Sequence, residues 1–114
     1  MRKLSVILAW LGSIIAAAAT SVTLQWDANS EPDIHHYNLK WGFVQAQEDH
    51  VINVGNVTTY TVNESWPRGS TVYFVCTAVN IYDLESGPSN EVSYTITPWN
   101  PNAPGHLKII DISK

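Results

Sequence analysis

Thr71-Val72-Tyr73-Phe74-Val75-Cys76-Thr77-Ala78-Val79-Asn80 runs without a charge, a glycine or a proline, and Val72, Phe74, Cys76 and Ala78 recur at every second position. A period of two puts those four side chains on one face of an extended strand, a geometry that β-branched and aromatic residues favour. Downstream, Asn90 to Thr97 repeats the pattern, with Val92, Tyr94 and Ile96 on one face. Upstream, Val57 to Val62 is rich in Thr, Val and Tyr and bounded by Gly55-Asn56, and Val51-Ile52-Asn53-Val54 is a shorter, weaker strand. Tyr37, Leu39 and Trp41 alternate until Gly42 breaks the run. Val22, Leu24 and Trp26 alternate with Thr23, Gln25 and Asp27, and the turn cluster Ala28-Asn29-Ser30-Glu31-Pro32-Asp33 separates this run from the next. Outside the first nineteen residues no segment keeps a helical apolar period. The expectation is an all-β chain, an antiparallel sandwich with a turn about every eight to twelve residues.

The two ends of the chain read differently from this middle. Met1-Arg2-Lys3 is positive, Leu4 to Ala19 carries no charge, and Ala17-Ala18-Ala19 offers the small residues that signal peptidase cuts after. Residues 1–19 are therefore expected to be a secretory signal peptide removed after Ala19. The uncharged run falls short of the roughly 20 residues that span a bilayer, so no membrane association is expected after cleavage. Residues 20–97 then form one domain, residues 98–105 (Pro98-Trp99-Asn100-Pro101-Asn102-Ala103-Pro104-Gly105) a stiff linker, and residues 106–114 a tail in which Leu107-Lys108-Ile109-Ile110-Asp111-Ile112 alternates as a seventh strand. With 114 residues, 45% of them hydrophobic and 14% charged, one packed core is affordable and a disordered polar chain is not expected. Loss of Arg2 and Lys3 takes the formal net charge from -4 to -6, the wrong sign for a nucleic-acid partner. Cys76 is the one cysteine and has no internal disulfide partner, which leaves it as a small buried hydrophobe.

Taken together, four stretches resemble a fibronectin type III domain, in particular the version found in exported bacterial proteins. Val22-Thr23-Leu24-Gln25-Trp26-Asp27 looks like strand B with its core tryptophan, and Glu31-Pro32-Asp33-Ile34 through Tyr37-Asn38-Leu39-Lys40-Trp41-Gly42 looks like the turn into strand C. Gly55-Asn56-Val57-Thr58-Thr59-Tyr60-Thr61-Val62 is similar to strand E, and Cys76-Thr77-Ala78-Val79-Asn80 with Glu85-Ser86-Gly87-Pro88-Ser89-Asn90-Glu91-Val92 to strands F and G. The resemblance implies an immunoglobulin-like β-sandwich acting as a secreted, adhesive or spacing module. Three departures matter. Val72 stands where the family places its corner tyrosine, with Tyr73 one step off and pointing outward. Trp66 replaces a leucine in a longer E-F turn, where it plugs the lower core. The leader occupies the place of strand A, while the tail from Pro101 to Ile109 looks like the opening of one.

If the strands alternate up and down, the B-C and F-G turns share a pole. Ile81, Tyr82 and Leu84 on the F-G turn, with Trp99 in the linker, are then the candidate contact residues; the competing reading folds one of them back over the sandwich end. The same pole gathers Asp27, Glu31, Asp33, Asp83 and Glu85 near His35 and His36, a weak candidate for a calcium or transition-metal site, since no loop has a known ligand ladder. No metal and no cofactor is expected. Neither a Gly-x-Ser-x-Gly elbow, a His-Glu-x-x-His pair nor a Gly-rich phosphate loop occurs, so no enzyme is expected. The leading function is a non-catalytic interaction or spacer module for a protein or polysaccharide. The alternatives are a self-assembling subunit that donates its tail head to tail, or a phage or virion surface decoration. For the tail, three outcomes stay open: loosely placed, docked on its own domain, or docked on another copy. The expected core is Val22, Leu24, Trp26, Tyr37, Leu39, Trp41, Tyr60, Val62, Val72, Phe74, Cys76 and Ala78, closed by Val92 and Tyr94, with Trp26→Ala costing about 3 to 5 kcal/mol.

Overall fold

The computed structural model describes residues 17–98 and 100–113. Six strands follow one another: β1 (Ala17–Gln25), β2 (Ile34–Gly42), β3 (His50–Gly55), β4 (Thr59–Pro67), β5 (Thr71–Asn80) and β6 (Val92–Thr95). They form two antiparallel sheets, β1-β4 and β3-β2-β5-β6. The described residues contain no helix. β1 starts inside the stretch read as the leader, its Ala17 to Ala19 laddered to Pro67, Trp66 and Ser65. Registers such as Leu39 opposite Cys76 and Trp41 opposite Phe74 keep the apolar sets of β2 and β5 on one face, as the period-two pattern requires.

β1 and β5 run in the same direction, so the connections after each meet at one end of the sandwich. A backbone bond from the Ile81 N–H to the Asp33 carbonyl (2.9 Å) joins them there. We call this end the loop pole and the other, where β4 turns into β5, the closed pole. At the closed pole Trp66, 2% exposed, meets Trp41 and Phe74 edge to face at centroid distances of 5.4 and 5.9 Å. With Leu39, Val62, Val72 and Ile96 they make the core, and Val22, Leu24, Trp26, Ile52 and Val54 are half-buried against it. Trp66 thus plugs the lower core as its position suggested. Val72 fills the corner position with no exposure at all. In place of a tyrosine hydroxyl, backbone pairing closes the turn: Gly69 N–H to the Ile96 carbonyl (2.9 Å) and Ile96 N–H to the Ser70 carbonyl (2.8 Å). Gly69 has φ +85°, a conformation that a side chain would strain.

Several expectations fail in an instructive way. Tyr60, Val92 and Tyr94 were placed in the core, yet they are 36%, 46% and 45% exposed. Val92 and Tyr94 do face inward, opposite Phe74 and Val72 in the ladder. The facing sheet has only two strands among the described residues, too few to cover β6. Conversely, β5 is buried on both faces: Val75, Thr77 and Val79 are at most 8% exposed. The connection after β2 and the segment from Glu85 to Pro88 fold over its outer face. Gly42 permits this return, because a Cβ there would lie 2.4 Å from the Gln47 carbonyl oxygen. The seventh strand is absent among the described residues. Leu107 to Ile112 makes no ladder, since a strand needs an adjacent edge and the tail has none beside it.

Candidate functional site

The β5–β6 connection is a tight turn organised by Asn80. Its side-chain Oδ1 accepts the N–H groups of Tyr82 and Leu84, both at 3.0 Å. Its own N–H donates to the Leu84 carbonyl (3.0 Å), and the Asp83 N–H donates to the Asn80 carbonyl (3.0 Å). Asp83 takes φ 63°, a left-handed conformation that Asp tolerates better than most residues. Because the backbone is tied internally, the apolar side chains are free to point outward. Ile81, Tyr82 and Leu84 are 59%, 72% and 66% exposed, so none folds back over the sandwich end. The neighbouring β1–β2 connection is also pinned, its Asn29 N–H donating to the Tyr37 hydroxyl oxygen (2.8 Å). Trp99, the fourth candidate, lies outside the described residues.

Three acids of this pole, Glu31, Asp33 and Glu85, border one depression beside Leu84. Glu85 turns away onto the outer face of the four-stranded sheet, where its Oε2 accepts from the Thr77 hydroxyl (2.6 Å), the Lys40 ammonium (2.9 Å) and the Asn38 amide (3.4 Å). The Thr77 hydrogen bond, then those of Lys40 and Asn38, pull its carboxyl down to a pKa of about 2. Glu31 accepts from the Asn29 amide at 3.0 Å, which also lowers its pKa. Among the described residues no three His, Cys, Asp or Glu side chains are placed to hold a metal ion. The gathering of Asp27, Glu31, Asp33, Asp83 and Glu85 expected from the shared pole is therefore corrected: Glu31, Asp33 and Glu85 border one depression, and the set does not close around an ion. His35 and His36 are brought to the same side by a shift in the β2–β5 register, and their Nδ1 atoms lie 2.9 Å apart, one donating to the other.

A second feature escaped the strand pattern. Among the described residues the sandwich is open between β1 and β6, and a groove of about 230 Å³ is lined there by Leu24, Trp26, Cys76, Ser89 and Val92 among others. At Ser89 the groove adjoins a second depression walled by an irregular stretch, Ser86-Gly87-Pro88-Ser89, that pairs with β5 through side chains as well as backbone. Ser86 Oγ accepts the Ala78 N–H and Ser89 Oγ accepts the Cys76 N–H, each at 2.9 Å. The signal for it was present in the sequence as serines flanking a Gly-Pro step, which cannot continue a regular ladder. Trp26 Nε1 is buried with no hydrogen-bond partner among the described residues. Cys76 is half-buried in the groove, and desolvation pushes its thiol up to about 11.

No family profile matches the chain. It is similar to the sixth fibronectin type III domain of human fibronectin type III domain containing protein 3, with a TM-score of 0.51 and 18% identity, covering 80% of this chain and 90% of that one. A fibronectin type III domain of the human protein KIAA0970 aligns with a TM-score of 0.50 and 20% identity, covering 91% and 87%. A stretch of 87 residues, 75% of the chain, is 29% identical to Drosophila melanogaster tyrosine-protein phosphatase Lar and spans 4% of that protein's length. The structural likenesses show the fold, an all-β sandwich of the fibronectin type III kind.

Proposed function

We propose that the chain is an exported, non-catalytic interaction module whose contact surface is the β5–β6 turn. The observation that carries this reading is the conformation of that turn. Three large apolar side chains, Ile81, Tyr82 and Leu84, stand in water on a backbone held by four hydrogen bonds centred on Asn80. Exposing apolar area carries a cost in isolation, and a rigid presentation lowers the ordering entropy that a partner's binding would otherwise oppose. An aromatic with a hydroxyl between two aliphatics suits a protein surface better than a sugar face, which is stacked by a flat, uninterrupted ring. Export rests on the leader pattern of residues 1–19, and removal after Ala19 would leave β1 beginning at Thr20 with its ladder to β4 intact through Gln25.

The test uses the exported protein and a variant carrying Ile81→Ser, Tyr82→Ala and Leu84→Ser, both immobilised and exposed to the extracellular fraction of the producing cells. A component retained by the parent and lost from a variant of equal thermal midpoint supports the reading; equal retention overturns it. In parallel, titration with soluble polysaccharides should leave the Tyr82 ring resonances unmoved. Movement there would replace the protein partner with a glycan.

A further inference from the structure

We propose that the groove between β1 and β6 is the acceptor for the tail, residues 106–112, of a second copy of this chain, which adds to the outer edge of β1 as an antiparallel strand. The proposal rests on the reading that residues 1–19 are removed, which leaves that edge without its preceding chain.

The acceptor has three properties that call for an added strand. Among the described residues β1 ladders with β4 alone, and along Ser21 to Gln25 its other edge is a template for one more strand. The inward side chains of β6, Val92 and Tyr94, are nearly half exposed although their ladder partners Phe74 and Val72 are fully buried. Trp26 lines the groove and is only half-buried, so an added strand would cover the rest of its ring.

The donor is equally unusual. Leu107, Ile109, Ile110 and Ile112 are 99%, 79%, 87% and 72% exposed, four aliphatic side chains in six residues held in water. Residues 106–114 carry two lysines and one aspartate, whereas residues 20–105 carry nine acids against Lys40 and Arg68. Within the docking segment, residues 106–112, Lys108 and Asp111 balance, so a neutral apolar strand meets the acidic domain without repulsion.

Chain direction selects the second copy. The chain leaves β6 at the closed pole, fastened there by Ile96 to Gly69 and Ser70 and by the Arg68 guanidinium to the Thr97 carbonyl (3.2 Å). A strand antiparallel to β1 must start at the loop pole, because β1 itself starts at the closed one. To reach that start on its own domain, residues 98–105 would have to run the length of the sandwich. Fully extended they reach roughly 26 Å at about 3.3 Å per residue, against the roughly 20 Å that residues 20–25 occupy as a strand. Three prolines and the turn needed at each end use up that margin. A neighbour's tail meets no such limit. The resulting contact is heterologous, each copy donating at one end and accepting at the other, so it closes into rings or continues as chains.

The experiment is sedimentation of exported protein from about 1 µM to about 1 mM, a range over which mass action reveals weak association. It is run beside the double variant Ile109→Asp, Ile110→Asp, which charges both faces of the tail, with intact mass recorded for each. Labelling of Cys76, which lines the groove, is followed at pH 9. The expected result is a mass that rises at least about twofold for the parent, labelling that slows as mass rises, and a variant that stays monomeric, labels fast and melts at the midpoint that the parent shows at about 1 µM. A parent that is monomeric throughout overturns the proposal, as do oligomers that survive in the variant. A monomer whose Cys76 is protected only while the tail is intact assigns the groove to the chain's own tail and overturns it too. Retention of residues 1–19 overturns the leader reading separately. Oligomers of such material that are lost in the variant still uphold the tail contact, and their absence overturns it.

Discussion

The closed pole and the open edge use the same residue types in the same alternation, yet one is sealed and the other is not. Phe74 is 1% exposed and its ladder partner Val92 is 46%; Val72 is 0% and its partner Tyr94 is 45%. Each pair sits side by side on one inner face. The difference is what lies opposite. Trp66 from β4 covers β5, whereas no described strand covers β6. An inward-facing position is thus only half a core position. The other half is supplied by the width of the facing sheet.

The largest expected effects test that contrast directly. Trp66→Ala and Phe74→Ala should each cost about 3 to 5 kcal/mol in denaturant melts, since each leaves a void that the closed pole cannot collapse. Val92→Ala should cost under about 1 kcal/mol in melts of the monomer at about 1 µM, because much of its side chain is then in water. Trp26→Ala falls between, about 2 to 3 kcal/mol, less than its sequence position suggests because it borders the groove. If Val92→Ala proved as costly as Phe74→Ala, the edge would be covered in solution and the contrast would collapse.

A smaller effect sits on the outer face. Glu85 has a folded pKa of about 2, below its unfolded value, so its contribution is present above the unfolded pKa and fades as pH falls from about 4.5 toward 2. The carboxylate is 39% exposed, and solvent screening limits the contribution to about 1 kcal/mol or less. Glu85→Gln should lower the melting midpoint at pH 7 and remove that part of the acid dependence. An unchanged profile would show that the Thr77 and Lys40 contacts do not persist.

Cys76 sharpens the comparison without touching stability. With its thiol near 11, only about one molecule in ten thousand holds thiolate at pH 7, so labelling of the native protein should be slow there and rise about tenfold per pH unit. Labelling as fast as in the unfolded chain would mean the groove does not desolvate the thiol. Smallest of all, Ile81→Ser, Tyr82→Ala and Leu84→Ser should each move stability by no more than about 0.5 kcal/mol, because their side chains touch little of the domain. A loss well beyond that would place the turn in the core and remove the basis for its binding role.

The period-two pattern determined the strand class, the inward faces of β2 and β5 and the sharing of one pole by two loops, because alternation and chain reversal are local properties that each residue reports for itself. It likewise marked Ile81, Tyr82 and Leu84 as apolar residues on a turn, although their outward direction depended on Asn80 holding the backbone that would otherwise have turned them in. Tertiary structure alone decided the rest. It buried Val75, Thr77 and Val79 under a returning loop, paired Glu85 with a lysine forty-five positions upstream, and left Val92 and Tyr94 uncovered. Burial and charge pairing depend on which segment arrives opposite, and that partner is distant in the chain, so alternation reports which way a side chain points but not what meets it there.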